Sequence, residues 1–174
     1  SGRESCTKLI RYAFEELIHK NRYDQIIVSG RWHKAGEVKE LLETTEFLSA
    51  FTDSILVVGP TIEYHQALPR LLATNEISEI ANDKHNRYSV VKDIDNKLIQ
   101  QKWPEEVKYL SLIDIQCKSK TNCSVLTDLG VPMAFDYGHL THDAAREIIE
   151  KNSHIFSCTH CPFRWGIGNS SFCF

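Results

Sequence analysis

Ser54-Ile55-Leu56-Val57-Val58-Gly59-Pro60 places four aliphatic residues in a row directly ahead of a turn-forming pair. An apolar run this short, without polar alternation, reads as a strand buried on both faces and stopped at Gly59-Pro60. Two other segments share its character. Tyr23-Asp24-Gln25-Ile26-Ile27-Val28 runs into Ser29-Gly30, and Val107–Ile113 follows Pro104. Between and around them the apolar spacing changes to that of helices. Cys6–Lys20 carries Leu9, Ile10, Ala13, Phe14, Leu17 and Ile18, and Glu37–Phe51 carries Val38, Leu41, Leu42, Phe47 and Leu48. Tyr64–Leu72 reads as a short helix interrupted at Pro69. Asn86–Trp103 reads as a longer one with Val90, Val91, Ile94, Leu98 and Ile99 on one face. Thr141–Lys151 is the last, with Ala144, Ala145, Ile148 and Ile149 facing inward. Alternating helices and continuously apolar strands predict a three-layer α/β/α sandwich with a mostly parallel sheet. Ligands of such sheets bind beyond the carboxyl ends of the strands. That rule singles out 29–33, 59–64 and 114–117.

The bulk numbers bound the function. The 174 residues, 42% hydrophobic and 25% charged, suit one soluble domain. A net charge of −3 without a Lys/Arg block gives no electrostatic footprint for nucleic acid. The longest apolar runs are strand-sized, no secretory signal opens the chain, and no internal repeat or linker interrupts it before about residue 150. Opening at Ser1 without an initiator Met, the chain reads as cut, processed or sampled from a longer one. No strand leads into a Gly-rich phosphate loop, which argues against a nucleotide-binding protein. Residues 152–174 differ in character: His154, Cys158, His160, Cys161 and Cys173 crowd a stretch without periodicity. Cys158-Thr159-His160-Cys161 has knuckle spacing but lacks the second ligand pair of a structural zinc site. A disordered or non-native extension is the leading reading, ahead of a disulfide and of zinc. His33, His85 and His142 have no metal-ligand spacing either, so no metal and no cofactor is expected.

Chemistry concentrates in Phe135-Asp136-Tyr137-Gly138-His139-Leu140-Thr141. Thr141 is a plausible N-cap for the last helix, which puts Asp136 and His139 on the loop just ahead of it. An Asp-x-x-His loop lets the carboxylate meet Nδ1 while Nε2 stays free as a general base. Taken alone, the pair reads first as a surface carboxylate and a capping imidazole. Cys117 and Cys123 flank a polar, turn-like Lys-Ser-Lys-Thr-Asn that could close a small disulfide loop, or they are two unrelated buried thiols. A bridge would imply an oxidising compartment. Ser89, within a helix, has no base near it in sequence, and His65 reads as an exposed loop residue.

The neighbouring segments decide between these readings. Asp136-x-x-His139-Leu140-Thr141, near the end of an α/β domain, resembles the last block of SGNH-type hydrolases and acyltransferases. "YDQIIVSGRW" (23–32) resembles the third-block strand of SGNH domains that close acyltransferase-3 membrane proteins such as O-antigen acetyltransferases. "SILVVGPTIEYHQALP" (54–69) resembles the strand after it, and Cys117 and Cys123 resemble the cysteine pair ahead of the Asp-x-x-His block. The likeness covers roughly residues 5–150. It implies a flavodoxin-like SGNH fold over 1–151 followed by the 152–174 tail. It also implies an O-acyltransferase or esterase working on a carbohydrate with an acyl donor through a Ser-His-Asp triad. Location would be periplasmic, tethered to an amino-terminal transmembrane acyltransferase domain.

Two departures qualify it. The family's opening Gly-Asp-Ser strand has no counterpart, and no Gly-x-Ser-x-Gly elbow occurs, so the nucleophile is expected before Ser1 and the chain is expected to be inactive alone. Ser29-Gly30-Arg31-Trp32 stands where many members place an oxyanion-hole Asn. The Gly30 N–H and the Arg31 guanidinium are candidate donors, although Arg31 also reads as a solvated loop cation. Trp32 reads as packing or as a substrate wall, and Tyr64 as lining the cleft. The rival reading is a non-catalytic SGNH-like module that holds a glycan or a partner.

Overall fold

The computed structural model describes residues 2–32, 36–82, 84–156, 165–167 and 170–172. Three parallel strands lie side by side in chain order: β1 (Ile26–Ser29), β2 (Ile55–Val58) and β3 (Val107–Leu110). Ser29 pairs with Val58, and Val58 with Leu110, so all three strands end on one line. Parallel neighbours need long crossovers. Helix α2 (Glu37–Leu48) supplies the first, and α3 (Leu68–Thr74), α4 (Ile77–Ile80) and α5 (Tyr88–Gln100) the second. Helix α1 (Gly2–Tyr12) continues through a π turn and a 3-10 turn to Lys20, ahead of β1. The α/β architecture and its parallel sheet are those expected.

The central strand explains the two-sided core. Ile55, Leu56 and Val57 are completely buried. Successive side chains of a strand face opposite ways. Ile55 and Val57 pack with Ile18, Leu41 and Leu48, and with Ile94 and Leu98 of α5. Leu56 and Val58 pack on the other face with Leu68, Leu71 and Ile80, and with Ala144 and Ile148 of α7 (His142–Lys151). Burying each of these strand side chains contributes roughly 1.5–3 kcal/mol.

Local chemistry moves several boundaries. The third strand stops at Leu110 rather than Ile113, because the Ser111 hydroxyl accepts the Asp114 N–H and starts helix α6 (Leu112–Gln116). Pro69 opens α3 instead of interrupting a helix, since proline is tolerated where its missing N–H has no intrahelical acceptor. Thr141 caps α7 as read: its Oγ1 accepts from the Ala144 N–H at 3.2 Å.

Strands β4 (Cys117–Ser119) and β5 (Asn122–Cys123) form a hairpin in which Cys117 stands opposite Cys123, their Cα atoms 3.9 Å apart and joined by a disulfide. Within the tail, β6 (Trp165–Ile167) pairs antiparallel with β7 (Ser170–Phe172). Cys158, His160, Cys161 and Cys173 lie outside the described residues, as does His33. Among the described residues, no helix is long and apolar enough to cross a membrane, and no cluster of three potential metal ligands occurs.

Candidate active site

The Asp136–His139 loop is built by its own backbone. Phe135 N–H donates to the His139 carbonyl at 3.0 Å, and Ala134 bridges Leu140, closing a tight turn. Inside it, Asp136 Oδ1 accepts the N–H groups of Gly138 (2.9 Å) and His139 (2.8 Å), leaving Oδ2 aimed at the imidazole. Asp136 Oδ2 lies 2.7 Å from His139 Nδ1. Three carbonyls of the loop are tied to the exit of β2. Leu68 N–H donates to Asp136 O (2.9 Å), Tyr64 N–H to Tyr137 O (2.7 Å) and the Thr61 hydroxyl to Gly138 O (2.8 Å). The loop is thereby fixed to the carboxyl end of the central strand.

Desolvation pushes the Asp136 carboxyl up. The two backbone N–H bonds and His139 outweigh it and hold the group down at about 2. An ionised carboxylate only accepts, so Nδ1 donates to it, and in the neutral imidazole this leaves the lone pair on Nε2. The His139 side chain is 62% exposed, which leaves Nε2 open to a reactant. Its ring stacks on Phe135, with centroids 5.7 Å apart, and Tyr137 lies at 6.0 Å. These contacts and the Asp136 bond hold the ring in place. Among the described residues no hydroxyl or thiol hydrogen-bonds His139.

A cleft of about 540 Å³ opens at the carboxyl ends of the strands. Gly30, Arg31 and Trp32 line it from β1, Gly59–Thr61 and Glu63 from β2, and Gly138 and His139 from the loop. Ile27, Ile148, Ile149 and Phe156 give it an apolar end, and Ser29 also faces it. Trp32 donates its indole N–H to Val58 O (2.9 Å), which sets the ring as a fixed wall against Gly30. Arg31 Nε donates to Glu63 Oε1 at 2.6 Å, and Arg87 Nη1 to Glu63 Oε2 at 2.8 Å. The Arg31 guanidinium also lies over the Tyr137 ring, 5.2 Å from its centroid. Its hydrogen bond to Glu63 holds the Arg31 pKa above its ordinary value.

Of the expected residues, the fold brings Gly30, Arg31 and Trp32 to the same cleft as His139, with Asp136 behind it. Tyr64 is corrected: it is 3% exposed and packed in the core beside Leu68, its phenol has no hydrogen-bond partner among the described residues, and burial pushes its pKa up. Its backbone N–H, not its side chain, serves the site. The 114–117 strand end is also corrected. Those residues belong to α6 and the disulfide hairpin, away from the cleft. Glu63, Arg87, Thr61 and Tyr137 were missed. Glu63 sits in the flagged 59–64 exit, whereas nothing local to Arg87 marks it.

Beneath the cleft lies a buried polar network. Asp95, 0% exposed, accepts from Tyr109 Oη (2.6 Å), Ser111 Oγ (2.9 Å) and Lys92 Nζ (2.9 Å). Tyr109 in turn packs against Gly59 at the end of β2.

No curated protein matches the chain. Among solved structures it is similar to the periplasmic domain of a lipopolysaccharide acetyltransferase from Salmonella ser. Paratyphi A, with a TM-score of 0.61 and 16% identity. That similarity covers 75% of this chain and 56% of the other, so the chain spans little more than half the solved domain. At that identity the likeness speaks for the fold. Residues 1–151 match the family model "SGNH domain (fused to AT3 domains)", and the chain therefore belongs to that family of SGNH domains.

Proposed function

We propose that this chain carries the acid–base half of a serine-type O-acyltransferase or esterase that moves acetyl or similar acyl groups on a carbohydrate. The observation that carries the reading is the Asp136 Oδ2–His139 Nδ1 pair at 2.7 Å, on an imidazole that is 62% exposed and lines the cleft. In the mechanism, Nε2 takes the proton of a serine hydroxyl as the oxygen attacks the acyl carbonyl carbon. Asp136 holds the tautomer and stabilises the imidazolium that forms. His139 then returns the proton to the leaving group. A sugar hydroxyl, or water, attacks the acyl-serine by the same route. The Gly30 N–H and the N–H groups on Nη1 and Nη2 of Arg31 receive the developing oxyanion. Ile27, Ile148 and Ile149 supply apolar lining of the cleft, and Trp32 a fixed wall beside Gly30. No cofactor or metal takes part.

The serine belongs to a Gly-Asp-Ser block ahead of Ser1 in the parent chain. That block in turn follows a membrane-spanning acyltransferase domain, with this domain on the periplasmic side. Family membership and the disulfide support the placement, since disulfides persist in oxidising compartments.

The test uses the protein with and without the coding sequence that precedes Ser1. A fluorophosphonate probe and p-nitrophenyl acetate are expected to label and be turned over only by the longer chain, at a serine ahead of Ser1, and not after His139→Ala. Labelling at Ser29, or turnover by the short chain that survives His139→Ala, sinks the assignment. A longer chain that neither labels nor turns over, yet binds glycan, establishes the non-catalytic module instead.

A further inference from the structure

We infer that Glu63 is a positioning residue for this reaction: its carboxylate fixes the Arg31 guanidinium beside the Asp136–His139 loop, with the Nη groups of Arg31 left for an oxyanion in the cleft. The inference rests on the reading of Arg31 as an oxyanion donor.

Burial supplies the first argument. Glu63 is 7% exposed, and a carboxylate taken out of water costs free energy unless it is fully paired. Packing alone is served better by an apolar residue of the same volume. Here each carboxylate oxygen has its own guanidinium, Arg31 Nε at 2.6 Å and Arg87 Nη1 at 2.8 Å. Hydrogen bonding supplies the second. Guanidinium has five N–H donors in a rigid plane. Glu63 takes the one at Nε, and no described residue bonds the four on Nη1 and Nη2. With Nε pinned and the plane lying over Tyr137 at 5.2 Å, the remaining fork is directed rather than free to sweep through solvent. Preplaced donors stabilise a developing charge without reorganising when it forms.

The backbone ties this arrangement to the base. Glu63 O accepts the Arg87 N–H at 2.7 Å, and the adjacent Tyr64 N–H holds Tyr137 O. Glu63 Cγ also packs against the loop, 3.5 Å from where a Cβ on Gly138 would sit. Arg31, Glu63 and His139 therefore belong to one packed unit, although they come from three separate parts of the chain.

The experiment compares Arg31→Ala, Glu63→Gln and the double variant in the parent chain that includes the serine block, following kcat and KM for p-nitrophenyl acetate together with thermal unfolding. Arg31→Ala is expected to lower kcat about 100-fold, the loss typical of one oxyanion donor. Glu63→Gln is expected to lower kcat about 10- to 100-fold with KM unchanged. Added to Arg31→Ala, it should cost no more than about threefold further, because positioning matters only while there is something to position. If Arg31→Ala leaves kcat intact, the oxyanion reading fails, and this inference fails with it. If Arg31→Ala acts but Glu63→Gln does not, the inference alone is overturned. It is likewise overturned if Glu63→Gln costs as much without Arg31 as with it, since that is the mark of a merely structural role. Should Glu63→Gln not fold, Glu63→Asp keeps the charge but withdraws it by one methylene. The same signature is then expected, and kcat at the wild-type level would refute the positioning role.

Discussion

Replacing Gly59 by alanine tests whether the buried polar network sets the floor of the cleft. A methyl group at this position would overlap the Tyr109 hydroxyl oxygen, with Tyr109 Cζ at 2.9 Å and the Leu110 carbonyl at 3.1 Å. Tyr109 cannot yield freely. Its hydroxyl donates to Asp95, which is wholly buried, and its ring stacks on Trp103 with centroids 6.2 Å apart. Losing a hydrogen bond to a charged acceptor costs about 1.5–3 kcal/mol. Overpacking a filled site adds roughly 1–3 kcal/mol. Gly59→Ala should therefore destabilise by about 2.5–6 kcal/mol, a large part of the roughly 5–15 kcal/mol that folds a typical domain. In a chain of this size the melting temperature would fall by roughly 5–24 °C. Urea unfolding of the wild type, Gly59→Ala, Tyr109→Phe and the double variant gives the coupling. Tyr109→Phe should cost about 1.5–3 kcal/mol in the wild type but less than about 0.5 kcal/mol after Gly59→Ala, since the bond it removes is already broken. Strict additivity, or a Gly59→Ala cost below about 0.5 kcal/mol, would refute the reasoning.

Asp136→Asn in the serine-containing parent should lower kcat by about 10⁴, because an amide N–H facing Nδ1 forces the proton onto Nε2 and removes the base; near-normal kcat would remove Asp136 from the mechanism. The same carboxyl gives a pH signature. Its folded pKa of about 2 lies below the ordinary value of about 3.9, so its stabilisation is complete above about pH 4 and is lost as pH falls towards 2. Acid-unfolding curves of wild type and Asp136→Asn should converge across that window, and parallel curves would contradict it. Reducing the Cys117–Cys123 bridge should cost about 2 kcal/mol, as expected for a loop this short, and loosen the β4–β5 hairpin without abolishing the cleft; denaturant titration with and without reductant measures it.

The sequence by itself determined the parts of this protein whose partners lie close along the chain. Ile55–Val58 could be read as a buried strand because four consecutive aliphatic residues leave no polar face, and the flanking helical periods then dictated a parallel sheet. Asp136 and His139 were legible for the same reason: three residues of separation within one turn bring carboxylate and imidazole together almost regardless of the rest of the fold. Cys117 and Cys123, opposite each other in one hairpin, are a further case. Ser111 escaped notice because an apolar run continues past it, and only the hydroxyl's bond to the Asp114 N–H turns Leu112 and Ile113 into a helix.

What tertiary structure decided is the second half of the site. Arg31 meets Glu63 across 32 residues, and Arg87 meets Glu63 across 24. No periodicity encodes either pairing. The register that sets Ser29 beside Val58 carries Arg31 and Glu63 to the same strand-end edge, and the start of α5 delivers Arg87. Tyr64 shows the same limit from the other side. Its place after a strand end suggested the cleft, but its own backbone N–H, bonded to Tyr137 O, fixes the segment so that the ring turns inward to Leu68. Contacts within a few residues are fixed by chain geometry, whereas contacts between strand ends exist only once the sheet has set its register.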